Sequence, residues 1–101
     1  MTYYKRLTEL KEGDYIRYYE EEFCAVDEGV LRVNKVDVDN NTVYGDLVME
    51  TGIACRVVAC IKDAKYEIPK CDASQITLED QAEFDRLLKE YWANVEIAKT
   101  I

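Results

Sequence analysis

Apolar residues alternate with polar ones through much of the first two-thirds of the chain and recur every three or four positions near its end. The sequence therefore predicts strands followed by a helix. The run DYIRYY, residues 14–19, follows a Gly13–Asp14 turn and is rich in strand-favouring side chains. GVLRVNKVDV, residues 29–38, places apolar residues at Leu31 and Val33, then at Val36 and Val38. That slip of phase at Asn34–Lys35 predicts a bulge or a sharp bend. Asp39-Asn40-Asn41 reads as a hairpin turn, because Asn and Asp tolerate positive φ. The return strand, TVYGDLVM at 42–49, puts Val43, Leu47 and Met49 on one face with Gly45 between them. Glu50-Thr51-Gly52 is the next expected turn. IACRVVACI, residues 53–61, is apolar on both faces and reads as a central strand. Tyr66-Glu67-Ile68 reads as a short last strand stopped by Pro69.

The back of the chain follows a different period. Thr77 is the expected N-cap of a helix over 77–98, with Glu79 and Asp80 in its first turn, where the helix dipole favours acids. Phe84, Leu87, Leu88, Tyr91 and Val95 form one stripe, with Trp92 at its edge. The expected fold class is α+β: a small curved antiparallel sheet of about five strands over 14–68, packed by a C-terminal amphipathic helix, in one domain spanning 1–101. LKEGDYIRYY at 10–19, followed by a polar excursion and GVLRVNKVDVDNNTVYGDLV at 29–48, resembles the opening of small SH3-like barrels. There a Gly-Asp turn starts the first strand and a long loop separates it from the second. The resemblance implies a barrel. The ALYDY stretch of peptide-binding SH3 domains is absent, so no ligand residues carry over.

Charge narrows the function more than length does. The 101 residues hold 21 acids and 13 bases, a net of −8. Residues 1–50 carry 12 acids and 6 bases, hence −6; residues 51–101 carry 9 and 7, hence −2. Such a surface repels nucleic acid and anionic lipid and attracts basic partners. Only KDAKYEIPK, residues 62–70, is locally basic, so direct nucleic-acid binding is not expected. No apolar run approaches the roughly 18 residues of a membrane span, and MTYYKRLTELKEGD has charges where a signal peptide needs an apolar stretch. A cytoplasmic location is expected. In that reducing compartment Cys24, Cys55, Cys60 and Cys71 are expected to be buried thiols. Cys55 and Cys60 lie an odd number of positions apart on an expected strand, which sets them on opposite faces rather than around one metal.

The chain has no histidine, and its four glycines form no phosphate-cradling pattern. Carboxylate chemistry is left. VDVDNNTVYGDLVME at 36–50 resembles a calcium loop only superficially, lacking glycine at the sixth loop position, and reads better as a hairpin. No enzymatic activity, cofactor or metal site is expected. What stands out is EGDYIRYYEEEFCAVDE, residues 12–28, with seven carboxylates and four aromatic rings against one base, Arg17. EEEFCAVDEG within it is either a solvated loop pinned by Phe23 and Val26, or a surface that receives basic side chains by ion pairing and stacking. In a strand Tyr15 and Tyr19 share a face and Tyr18 projects opposite. The candidate partner-binding residues are Asp14, Tyr18, Glu20, Glu21, Glu22, Asp27 and Glu28. A small acidic chain of this composition is similar in kind to phage-encoded anti-restriction and anti-CRISPR inhibitors. That resemblance implies nucleic-acid mimicry against the basic groove of a nucleic-acid-processing protein. The alternative is a small SH3-like adaptor that binds through its tyrosine-rich strand or its helix. A third reading is dimerisation through Trp92 and Tyr91, should the barrel leave part of the helix stripe uncovered, so a monomer or a homodimer is expected.

Overall fold

The computed structural model describes residues 3–22, 25–51 and 57–99. Along the chain, β1 (Tyr4–Lys5) leads through a short 3-10 turn at Leu7–Glu9 to β2 (Tyr15–Glu22), β3 (Ala25–Asp37), β4 (Thr42–Thr51) and β5 (Val58–Glu67). A second 3-10 turn at Lys70–Asp72 precedes β6 (Ile76–Thr77) and helix α1 (Gln81–Lys99). The fold is α+β. Strands β2-β3-β4-β5 form one antiparallel sheet in chain order, and β1 and β6 form a second, two-stranded one. No helix among the described residues is long and apolar enough to cross a membrane.

The central hairpin follows the hydrophobic pattern closely. The β3–β4 register shifts between Val33 and Lys35, where the sequence pattern slips, and Val36 is thereby kept on the inner face. Asn41 takes a positive φ of 49° in the turn, and the Asn40 amide donates to Asp37 Oδ2 at 2.7 Å. That closure makes 36–50 a hairpin, as its sequence predicts.

Both faces of the sheet are covered. On the inner face Ile16, Tyr18, Leu31, Val33, Val43 and Leu47 pack with Leu7, Leu10, Ile68 and Ile76, contributed by the segments around β1 and β6. On the outer face Phe84 and Leu87 of α1 pack on Val30, Val48 and Val58, with Tyr15, Leu88 and Tyr91 beside them. The helix stripe is thus the expected one from Phe84 to Tyr91, while Val95 is half-buried and does not join this cluster. Gly29 and Gly45 lie on the inner face where β3 and β4 crowd together. A Cβ on Gly45 would stand 2.0 Å from the Arg32 carbonyl oxygen, and one on Gly29 would stand 2.1 Å from that of Val48. Missing side chains there let the sheet curl. The curl brings its two edges within reach of one another, and the Tyr66 hydroxyl of β5 donates to the Tyr19 carbonyl of β2 at 3.3 Å.

Five expectations need correction. First, the described strands form no closed barrel: β2 and β5 both remain sheet edges. Second, EEEFCAVDEG is not a long loop. Glu20 pairs with Asp27, Glu21 with Val26 and Glu22 with Ala25, so β2 and β3 continue as a ladder through the acidic stretch. Third, 53–61 and 66–68 are not a central and a final strand. One edge strand, β5, starts at Val58 and absorbs Tyr66 and Glu67. Residues 53–56 lie outside the described set, and β4 extends through Thr51, where a turn was expected. Fourth, Thr77 does not cap the helix. It is held in β6 opposite Tyr4, and the chain stays extended while Leu78 and Glu79 donate to the carbonyls of Tyr3 and Tyr15. Helical bonding begins at the Asp80 carbonyl, which accepts from Glu83 and Phe84. Fifth, Cys71 is exposed rather than buried, and Cys60 is half-buried. Cys24 and Cys55 lie outside the described residues.

Candidate functional site

The curl leaves a seam between the outer part of β2 and the end of β5. A groove of about 520 Å³ occupies it, walled by Tyr18, Tyr19, Tyr66 and Pro69 and rimmed by Glu20, Glu21, Glu67 and Asp72, with Lys65 the only base in the lining. Four carboxylates against one base give the groove a net of −3. Lys65 itself pairs with Glu67 at 3.3 Å, both side chains being largely exposed.

Alternation along β2 sets the roles of its tyrosines. Tyr18 faces inward and is 7% exposed, its ring 4.8 Å from that of Tyr66 between centroids. Its hydroxyl donates to Glu20, two positions along on the same face. Burial, then the hydrogen bond to Glu20, then the charges of Glu20 and Asp27 hold the Tyr18 hydroxyl far above the usual phenol range. Tyr19 faces outward with Tyr15, as the pattern predicts, and is 41% exposed. Its hydroxyl donates to Glu21 at 3.3 Å, and the Glu21 charge is the main cause of its raised pKa. Tyr66 is also raised, chiefly by burial. All three phenols are therefore neutral hydrogen-bond donors at neutral pH, not bases or nucleophiles.

The candidate residues divide among three places. Tyr18, Glu20 and Asp27 gather on the inner face towards the Glu22–Ala25 end of the β2–β3 ladder, where Glu20 and Asp27 are directly opposed. Of these Tyr18 and Glu20 line the groove, Glu21 joins them there, and Glu22 ends β2. Glu28 lies across the sheet, taking a 2.5 Å hydrogen bond from Arg17, whose guanidinium sits 5.7 Å from the centroid of the Tyr19 ring. Asp14 belongs to neither group. It locks the turn before β2, accepting from Lys5 Nζ at 3.0 Å and from the Lys11 amide at 2.9 Å. Tyr66, Glu67, Pro69 and Asp72 were not singled out from the sequence. Their signal was a tyrosine and acids next to the single proline, in a segment that otherwise reads as basic.

A second cleft of about 420 Å³ lies on the outer face between Glu28, Glu50 and the start of α1, where Glu79, Asp80, Glu83, Arg17 and Arg86 line it. Burial raises Glu79 above the usual carboxylate range, with Arg17 opposing the shift. Arg86 grips Glu83 through two guanidinium nitrogens at 2.6 and 3.1 Å and lowers it. The cleft's five acids against two arginines also give a net of −3, but both arginines are engaged with lining acids, Arg17 with Glu28 and Arg86 with Glu83. No group of three or more metal-ligating side chains is assembled among the described residues. Comparison with protein-family models, with curated proteins and with solved structures returned no match.

Proposed function

We propose that the chain is a non-catalytic acidic binding module. In its specific form it is an inhibitor of the phage-encoded anti-restriction or anti-CRISPR kind, occupying the basic groove of a nucleic-acid-processing protein in place of nucleic acid. One observation carries this reading: Glu20 and Asp27 face each other across the ladder with no cation from the described residues pairing with either. Like charges directly opposed on a sheet destabilise it, so the fold tolerates a repulsion that a cationic partner relieves. Elsewhere in the first half, Asp14, Glu28 and Asp46 are paired internally with Lys5, Arg17 and Arg32, as Glu20 and Asp27 are not. Phenols whose protons are held by neighbouring carboxylates, Tyr18 by Glu20 and Tyr19 by Glu21, support a binding role over acid–base catalysis.

The test is to immobilise the chain, capture basic nucleic-acid-binding proteins from nuclease-treated cell lysate, and titrate each complex with salt and with DNA. Binding is expected to fall about tenfold or more between low and moderate salt and to be displaced by DNA. Salt-insensitive binding, or DNA held at the same time, would reject mimicry. The adaptor reading keeps one supporting observation: Trp92 and Ile97 of α1 are 53% and 60% exposed. It predicts partner loss on Trp92→Ala and no response to salt.

A further inference from the structure

We infer that the seam between β2 and β5 accepts an extended basic segment of the partner as an additional strand. The inference rests on the acidic-module reading and adds to it how the partner is held. In an antiparallel ladder, successive residues turn both backbone groups towards the neighbouring strand and then both away from it. On β2 the carbonyls of Tyr15 and Tyr19 are used on the outer side, by Glu79 and by the Tyr66 hydroxyl, so Glu21 turns outward as well. On β5 the Ile68 amide donates to Asn41 beside β4, so Tyr66 turns towards β4 while Lys65 and Glu67 turn outward. Beyond the bridge of Ile16 to Leu78, no described strand pairs with the outer edge of β2.

Two edges therefore face each other across the groove with backbone donors and acceptors aimed into it. Paired strands lie about 4.8 Å apart, and here a whole tyrosine side chain and a hydrogen bond span the distance. The two edges do not pair directly, and an added strand takes the Tyr19 carbonyl from the Tyr66 hydroxyl and turns that side chain out of the gap. β2 and β5 run in opposite directions, so the added strand is antiparallel to one and parallel to the other. Exposed edges are the usual sites for strand addition, with the backbone giving affinity and alternate side chains giving specificity. The rim sets that specificity: Glu20, Glu21, Glu67 and Asp72 call for arginine or lysine at alternate positions.

The probe is a capped nonapeptide alternating arginine and valine, compared with the same peptide N-methylated at every valine. Both carry the same charge, but the second cannot donate along one edge. Binding to the full chain is followed by fluorescence and by amide hydrogen exchange. Expected are slowed exchange at Tyr19, Glu21, Lys65 and Glu67 with the first peptide, and about tenfold or greater loss of affinity with the second. Equal affinity of the two peptides, or binding without protection at those amides, would overturn strand addition while leaving salt-dependent docking intact. No binding of either would remove the seam as the site. Protection of the same amides at high protein concentration without peptide would make a second copy the occupant and overturn the basic-segment assignment. Protected binding without displacement by DNA in the lysate experiment would uphold strand addition and reject mimicry.

Discussion

Gly45 shows how much a single missing side chain decides in this sheet. Its Cβ position is filled by the backbone of Arg32 and the Leu31 side chain, and backbone cannot step aside as a flexible side chain can. Gly45→Ala is expected to lose about 1–3 kcal/mol in urea unfolding, the range for forcing a methyl into a packed site. Wild-type stability in that variant would mean that β3 and β4 separate easily, and the curl would need another cause. Tyr18 makes a second residue-scale prediction. Its hydroxyl is held above the ordinary phenol value of 10.0 in the folded chain. Below that value both states keep the proton and the folded state has its full contribution. As pH rises past it, the unfolded chain releases the proton first, so stability falls. Alkaline unfolding is expected to begin above about pH 10, with a slope that Tyr18→Phe reduces, read by tyrosinate absorbance against circular dichroism. Equal slopes in the two proteins would mean that Tyr18 is not the group responsible.

At the scale of elements, α1 owes its place to a narrow stripe. Leu87 is buried on Val30, Val48 and Val58, whereas Trp92 on the same helix is mostly exposed. Leu87→Ala is expected to destabilise by about 2–5 kcal/mol and Trp92→Ala by no more than about 0.5, measured by thermal and chemical unfolding. A large loss at Trp92 would reveal a covered surface on that face. The stripe was legible in the sequence because a helix repeats its neighbours locally. So were the central hairpin and its bulge, which depend on alternation, on Asn41 and on the phase slip before Lys35. The start of α1 was not legible, because β1 pairing with β6 keeps Thr77 extended, and that pairing joins residues more than seventy positions apart. Nor was the acidic ladder. Consecutive glutamates read as solvated loop, and only the opposing strand supplies the hydrogen bonds that hold 20–22 extended. The candidate site was half legible: its β2 acids stood out, while the β5 side became visible only when the curl brought Tyr66 to Tyr19.

For the whole molecule, the decisive question is whether its unanswered charge serves the fold or a partner. Surface pairs such as Arg17–Glu28 lie in water and each contributes little. The Glu20–Asp27 opposition is different in sign: repulsion across a ladder weakens the sheet by a few tenths of a kcal/mol, up to about 1. Glu20→Gln with Asp27→Asn removes both charges but keeps an acceptor for the Tyr18 hydroxyl, and the net charge moves from −8 to −6. If the acids exist for a partner, the double variant is more stable than the parent in low-salt urea unfolding. The gap closes as salt screens the parent's repulsion. The same variant binds the basic partner more weakly, so stability and binding move in opposite directions. If instead the acids hold the hairpin together, through contacts that only carboxylates can make, the variant loses stability at every salt concentration. A joint loss of stability and binding would assign Glu20 and Asp27 to the fold and leave the seam without its electrostatic role.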